Sequence, residues 1–322
     1  MIVATAGRRV ATTRILLDAV LRDTDHSYTE RVEGADVVVL FDGALDVSSL
    51  AAGVVVVAYA DDAAVARAAA QTRATVVTVG LASSNRVRAD SIVTTLDGTS
   101  FDVVSGTDRA AASVGIVGES IVPLALAALA VSAAAGVATA DAIAALATVT
   151  TGAEHDMRLR RRDAHTVVVD DTADGSPSST ADALKTLAGL TVDGTRSVAV
   201  LGPLDLDAAA DPVEARDEHD RIGRLVVRLN VSRLVVVGQR ARHIHNAAGL
   251  EGSWDGESVL VADPDAAYDL LRGQLRPGDV VLVKSSKSAG LRFLGDRLGG
   301  AETIAGDSSQ RADPAPKGDV PA

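Results

Sequence analysis

Cysteine is missing from all 322 residues, which excludes disulfides, thiolate metal sites and cysteine nucleophiles together. Aromatic residues make up 2% of the chain and leave few rings to stack on a base or a sugar. Lysine is also scarce: four stand against 27 arginines, and none precedes Lys185. Positive charge is in deficit overall, with 31 basic against 43 acidic residues and a net charge of −12. Such a field repels phosphate backbones and anionic membrane surfaces, so nucleic acid is not an expected partner.

What is present fits a soluble globular protein. The chain is 47% hydrophobic and 23% charged, and it is long enough for two cores. Its start reads as a strand and turn rather than a basic region before a long apolar stretch, so no secretory signal is expected. Residues 121–140 carry no charge, but they are rich in alanine and interrupted by Pro123 and Gly136. That composition favours a buried helix over a membrane span. A cytoplasmic location follows as the expectation.

Short unalternating apolar runs recur at 2–4, 37–40, 54–58, 75–79, 167–170, 198–201, 234–237, 259–261 and 280–283. These are the runs of parallel strands buried on both faces. Helical patterns lie between them at 12–21, 179–187, 214–229, 264–275 and 290–298, and a β-rich patch spans 87–104. The alternation predicts an α/β protein of doubly wound sheets. Two domains are expected, 1–153 and 154–303, joined by an arginine-heavy connector around residues 157–162, with a disordered tail over 304–322.

The second half carries the motifs. It reads Val167-Val-Val-Asp170-Asp171, then Pro177-Ser-Ser179 opening a helix, then Val198-Ala-Val-Leu-Gly202. Asp217-Glu218-His219-Asp-Arg-Ile-Gly223 follows, and finally Pro277-Gly-Asp-Val-Val-Leu-Val-Lys284-Ser285-Ser286-Lys287-Ser288-Ala289-Gly290-Leu291. The turn and helix start after Lys284 lie beyond the carboxyl end of a strand, the edge where open α/β sheets bind ligands. Lys284 reads either as a donor to an anion there or as a solvated lysine capping a strand. His219 reads either as a partner for Glu218 or a neighbouring helix, or as a site residue. Asp170 and Asp171 read as an acid–base or metal pair, or as turn caps. Adjacent strand residues point to opposite faces, which favours capping. His243 and His245, with no carboxylate nearby in sequence, read as a polar loop and not as a metal site.

This order of motifs resembles the C-terminal domain of the Mur ligases, over about residues 157–298, and most of all the branch that adds D-alanyl-D-alanine. More faintly the resemblance extends to residue 1, as the family's central P-loop-NTPase-like domain without its N-terminal UDP-sugar-binding domain. It implies ATP-dependent amide ligation in peptidoglycan precursor synthesis, with a Rossmann-like C-terminal domain. The family activates a carboxylate as an acyl phosphate, using a glycine-rich loop, a phosphate lysine and Mg²⁺.

The first half departs from that pattern. Where the family has Thr-Gly-Ser-x-Gly-Lys-Thr-Thr, this chain reads Thr5-Ala6-Gly7-Arg8-Arg9-Val10-Ala11-Thr12-Thr13. Arg9 falls on the second glycine and Val10 on the lysine, and a side chain at that glycine obstructs phosphate cradling. With no lysine before Lys185, neither the phosphate lysine nor the family's carbamylated magnesium-binding lysine has a counterpart. The family's metal-binding Glu is Phe41, with Asp42 beside it as a partial substitute. Its Asn/His pair has become Ala58-Tyr59-Ala60-Asp61, and its Gly-x-His-Asn is Gly118-Glu-Ser120-Ile121. Gly-Arg-Met reads His155-Asp156-Met157, and Asp-Asp-x-Tyr-Asn-Ala-Asn-Pro reads Asp170-Asp171-Thr-Ala173-Asp174-Gly-Ser176-Pro177.

Two functions are compatible with these residues. The first is a catalytically degenerate Mur ligase-like protein that binds a small anionic ligand, a peptidoglycan precursor or an active cell-wall ligase, without a cofactor. Its candidate ligand residues are Asp170, Asp171, His219, Lys284, Ser285 and Ser286. The second is an active amide ligase with a variant phosphate loop. It would hold ATP and Mg²⁺ through Arg8, Arg9, Thr12 and Thr13, with His219 and Lys284 as candidate catalytic groups.

Overall fold

A computed structural model describes residues 1–7, 9–162, 166–191, 194–206, 211–252 and 254–300. Arg8 and the expected tail over 304–322 lie outside the described residues.

The first sheet has eight strands in the order β2-β1-β3-β4-β5-β6-β7-β8. They are β1 (Ile2–Ala6), β2 (Ser27–Thr29), β3 (Val37–Leu40), β4 (Val55–Tyr59), β5 (Thr75–Gly80), β6 (Val87–Thr95), β7 (Gly98–Ser105) and β8 (Asp108–Val114). Pairing is parallel from β2 through β6 and antiparallel across β6, β7 and β8. All four residues of β3 are buried, as a parallel strand covered on both faces requires.

The second sheet has six strands in the order β13-β12-β11-β14-β10-β9. These are β9 (Arg158–Arg161), β10 (Val167–Asp170), β11 (Ser197–Leu201), β12 (Arg233–Val237), β13 (Glu257–Val261) and β14 (Val280–Lys284). Every pairing is parallel except β9 against β10. The arginine-rich stretch expected as a connector is therefore an antiparallel edge strand, with Arg158 opposite Asp170 and Arg161 opposite Val167. An edge strand tolerates arginine because one side of it meets solvent, and the charges blunt the open edge.

Helices α1 (Val10–Val20), α2 (Ala63–Ala69), α3 (Val122–Ala134) and α4 (Thr139–Leu146) belong to the first half. Helices α5 (Pro177–Gly189), α6 (Pro212–Arg228), α7 (Arg242–Leu250), α8 (Pro264–Arg272) and α9 (Leu291–Leu298) belong to the second. The uncharged stretch 121–140 is not one helix. α3 ends before Gly136, whose φ of 80° no helix continues, and α4 begins beyond it. Pro123 sits in the first turn of α3, where its missing N–H costs no hydrogen bond. Residues 122–132 of α3 are buried on every side, which explains a helix apolar all round. Among the described residues no helix is long and apolar enough to cross a membrane.

His243 and His245 lie on α7, not in a loop. Their Nδ1 atoms face Asp220 at 3.9 Å and the Ser258 hydroxyl at 2.6 Å respectively. The amphipathic pattern of Ile244, Ala247 and Ala248, all buried, makes the helix. A single apolar cluster runs from Leu16, Leu17 and Val57 through Leu126 of α3 and Met157 to Leu184 and Leu187 of α5, so it joins the two sheets.

Candidate ligand site between the two sheets

The carboxyl end of β1 passes through Gly7 into α1. Gly7 has φ 106°, and a Cβ there would lie 2.8 Å from the backbone carbon of Phe41, so only glycine fits. Arg9 caps α1 in the left-handed region at φ 56°. Its side chain is 12% exposed, and its Nε lies 2.7 Å from a carboxylate oxygen of Asp156. Nη1 donates to the Ser120 hydroxyl at 2.9 Å, while Nη2 is buried without a hydrogen-bond partner. Burial opposes the guanidinium charge, but Asp156, together with Asp171 and Asp174, outweighs it and holds the Arg9 pKa above its ordinary value.

Thr12 adds a second tie. Its hydroxyl donates to the other carboxylate oxygen of Asp156 and accepts from the Ala153 N–H at 3.0 Å. The Thr13 hydroxyl donates to the Arg9 carbonyl at 3.1 Å. Asp156 is presented by a tight segment in which His155 and Met157 both have positive φ, 60° and 49°. That segment is bound to the second sheet. His155 accepts at its carbonyl from the Ala173 N–H at 2.8 Å, and the Met157 N–H donates to Asp171 at 3.1 Å. Asp156 thus grips the first half while its backbone belongs to the second.

Asp170 and Asp171, at the end of β10, face opposite ways. Asp170 lies 2.6 Å from His155 Nδ1 and accepts from the Thr172 hydroxyl at 2.9 Å. Burial pushes its pKa up, and His155 pulls against that. Asp296 completes a group with His155 and Asp170 whose polar atoms lie within 4.8 Å of one another. Arg160 already pairs with Asp296 there and approaches Asp170 to 4.0 Å, so the positive charge of this group comes from the protein. Asp171 faces Lys284, whose Nζ lies 2.6 Å away and also donates to the Ser179 hydroxyl at 2.7 Å. Lys284 is 1% exposed, so it is neither a solvated strand cap nor a free donor.

His219 does not meet these groups. Its Nδ1 lies 2.6 Å from the Ala215 carbonyl, and Nε2 accepts from the Leu204 N–H at 3.3 Å. Those two contacts require the neutral Nδ1–H form, and burial lowers its pKa accordingly. Ser285 and Ser286 are buried in the turn after β14. The Ser285 hydroxyl donates to the Ser286 carbonyl at 3.0 Å, and the Ser286 N–H donates to the Pro203 carbonyl at 2.7 Å. Asp42 is exposed and accepts from the Ala44 N–H of its own turn at 2.9 Å.

Arg9 and Asp171 line a cavity of about 110 Å³ between the sheets, with Phe41, Tyr59, Ser120, Asp174 and Ser179 among its other walls. Phe41 and Tyr59 stack there with centroids 5.6 Å apart. A wider cavity of about 560 Å³ shares Tyr59, Ser120, Pro123 and Asp182 with it and reaches Lys185. Of the residues singled out from sequence, the structure brings Arg9, Thr12, Asp171 and Lys284 into one connected cluster. Ser120, Ser179 and Asp156 were not singled out as site residues. The available signal was that Arg9, Phe41, Tyr59, Ser120, Asp156 and Asp174 all stand where the chain departs from the Mur ligase pattern.

Comparison with known proteins agrees with this architecture. Residues 157–287 match the model of the Mur ligase, glutamate ligase domain. The UDP-N-acetylmuramoyl-tripeptide–D-alanyl-D-alanine ligase of Mycobacterium bovis is 40% identical over 260 residues, covering 76% of this chain and 50% of that protein. The Mycobacterium leprae protein of the same name is 42% identical over 203 residues, covering 59% of this chain and 38% of that protein. The chain thus spans half or less of the length of these relatives. Among solved structures, the MurF ligase of Thermotoga maritima in complex with ADP superposes with a TM-score of 0.73 at 14% identity, over 93% of this chain and 79% of that one. A MurF structure from Acinetobacter baumannii gives 0.72 at 17% identity, over 92% and 76%. Residues 157–287 thus match the Mur ligase, glutamate ligase domain, and the chain is similar to the Mur ligases, among them the D-alanyl-D-alanine-adding branch.

Proposed function

We propose that this chain is a non-catalytic Mur ligase homologue, a binding or regulatory protein that holds a small anionic ligand between its two sheets. The observation that carries the reading is the Arg9–Asp156 pair at the start of α1. ATP phosphates at a loop of this kind need slim glycines, open backbone N–H groups and a free hydroxyl for Mg²⁺. The residues present do not fit that group. Arg9 lays a guanidinium over the start of α1, and the Thr12 hydroxyl is taken up by Asp156 and the Ala153 N–H. The Thr13 hydroxyl is used on the Arg9 carbonyl, and no lysine precedes Lys185 to meet a β- or γ-phosphate. Partners of the chain would be a peptidoglycan precursor or an active cell-wall ligase rather than a nucleotide.

Identity of 40% to proteins named as ligases favours a second reading, in which the chain forms amide bonds with ATP through a variant loop. That reading requires Arg9 and Thr12 to leave Asp156. Phosphate release from ATP and Mg²⁺ separates the two, with UDP-muramoyl-tripeptide and D-alanyl-D-alanine supplied. A rate equal to the protein-free blank is expected, and release above it establishes the ligase.

A further inference from the structure

Among the described residues the chain passes from the first half to the second once, between Leu146 of α4 and Arg158 of β9. Contacts across the boundary must therefore set the angle between the halves. The apolar cluster through Leu126, Met157, Leu184 and Leu187 is extensive, but apolar contact is non-directional and tolerates rocking of one half against the other. Arg161 and Asp97 stand 3.9 Å apart with side chains 62% and 94% exposed, a pair too solvated to fix an angle.

The Arg9–Asp156 contact is of another kind. Asp156 takes Arg9 Nε on one carboxylate oxygen and the Thr12 hydroxyl on the other, while Arg9 Nη1 holds Ser120. Asp171 and Asp174 of the second half add to the attraction on the guanidinium. A small rotation of the halves would leave these buried groups without partners, so the arrangement has one good geometry. A Cβ on Gly152 would stand 3.1 Å from the Asp156 carbonyl oxygen and 3.2 Å from the Thr12 hydroxyl, so the crossing segment is packed into the same contact. Backbone strain gathers here too. Five non-glycine residues have positive φ among the described residues, and three of them, Arg9, His155 and Met157, belong to or flank this pair. Such conformations persist where the surrounding structure over-determines them.

We infer that the Arg9–Asp156 contact is a latch, which holds the two halves at one fixed angle and thereby sets the width of the cavities between the sheets. Both halves supply walls to these cavities, with Tyr59 and Ser120 on one side and Asp182 on the other in each, so a change of angle reshapes both. The latch goes beyond the reading of the chain as a binding protein and does not depend on it.

The chain has no cysteine, so spin labels on Ala133→Cys of α3 and Asp217→Cys of α6, both exposed, report one distance between the halves. Double electron–electron resonance on the full labelled chain is expected to give one narrow distance distribution. Arg9→Met with Asp156→Leu then replaces the ion pair by apolar groups, a change that commonly leaves stability equal or higher. A broadened or shifted distribution with an undiminished Tm is expected, which loss of fold would not produce. Asp156→Ala is the second variant, should the first fail to fold. It releases Thr12 and Arg9 but leaves the guanidinium facing Asp171 and Asp174, and the same broadening is expected. A broad distribution before the latch residues are changed, or an unchanged width and centre in a folded latch variant, would overturn the proposal. ATP turnover in the assay above would overturn the non-catalytic reading alone.

Discussion

The Nζ of Lys284 lies 2.6 Å from a carboxylate oxygen of Asp171, which precedes it by 113 residues, and both side chains are buried. The pair ties the carboxyl ends of β14 and β10 together and, through Ser179, fixes the start of α5. Buried ion pairs of this kind are costly to break from one side, because the remaining charge has no water to turn to.

Lys284→Met is accordingly expected to destabilise the protein by about 3–5 kcal/mol. Adding Asp171→Asn removes the stranded charge and keeps an acceptor for the Met157 N–H, so the double variant should be more stable than Lys284→Met alone. Urea unfolding of the three proteins checks the order. Equal stability of the single and double variants would mean that Asp171 is not confined by Lys284.

His219 makes stability depend on pH. Its folded pKa lies below the ordinary value of 6.5, because burial outweighs the Ala215 carbonyl, which favours the charged form. The unfolded chain therefore binds the proton first as pH falls, so this contribution is complete above about pH 6.5 and is lost on acidification. Wild-type Tm should fall between about pH 6.5 and 5 more steeply than that of His219→Gln. Parallel curves would remove His219 as the cause.

Gly223 of α6 lies directly against α7. A Cβ there would stand 2.4 Å from the Ile244 carbonyl oxygen and 2.8 Å from the Ala247 Cβ. Gly223→Ala gains helix propensity but should still cost about 1–3 kcal/mol through overpacking. A stabilised variant, measured by urea midpoint, would contradict the packing.

The strands were readable because burial on both faces turns residues 37–40, 198–201 and 280–283 into uninterrupted apolar runs. β2 was not, since three edge residues, none of them buried, leave no pattern. β9 hid behind its arginines, because edge strands escape the rule that makes central ones apolar. The motif residues of the second half were legible in sequence, but their partners were not. Thr12 and Asp156 meet across 144 residues, and nothing local to either announces the other. The isolated sequence also made Lys284 look available to ligands, whereas its charge is satisfied internally by Asp171.

Residues 154–303 are proposed to fold alone, since they hold a complete six-stranded sheet and the whole β9–β10 pairing. Expressed by themselves they should unfold in one cooperative urea transition. Trypsin should spare Arg158–Arg161, which the ladder with β10 protects. A non-cooperative fragment would show that Leu184 and Leu187 need the first sheet to complete their core.

The central claim is that Arg9 and its hold on Asp156 leave no place for a nucleotide. Calorimetric titration of the full chain with a non-hydrolysable ATP analogue, with and without Mg²⁺, tests it most directly. No saturable heat is predicted in either condition. Saturable binding that strengthens with Mg²⁺ would contradict it, since that requires Arg9 and Thr12 to give up the carboxylate they share.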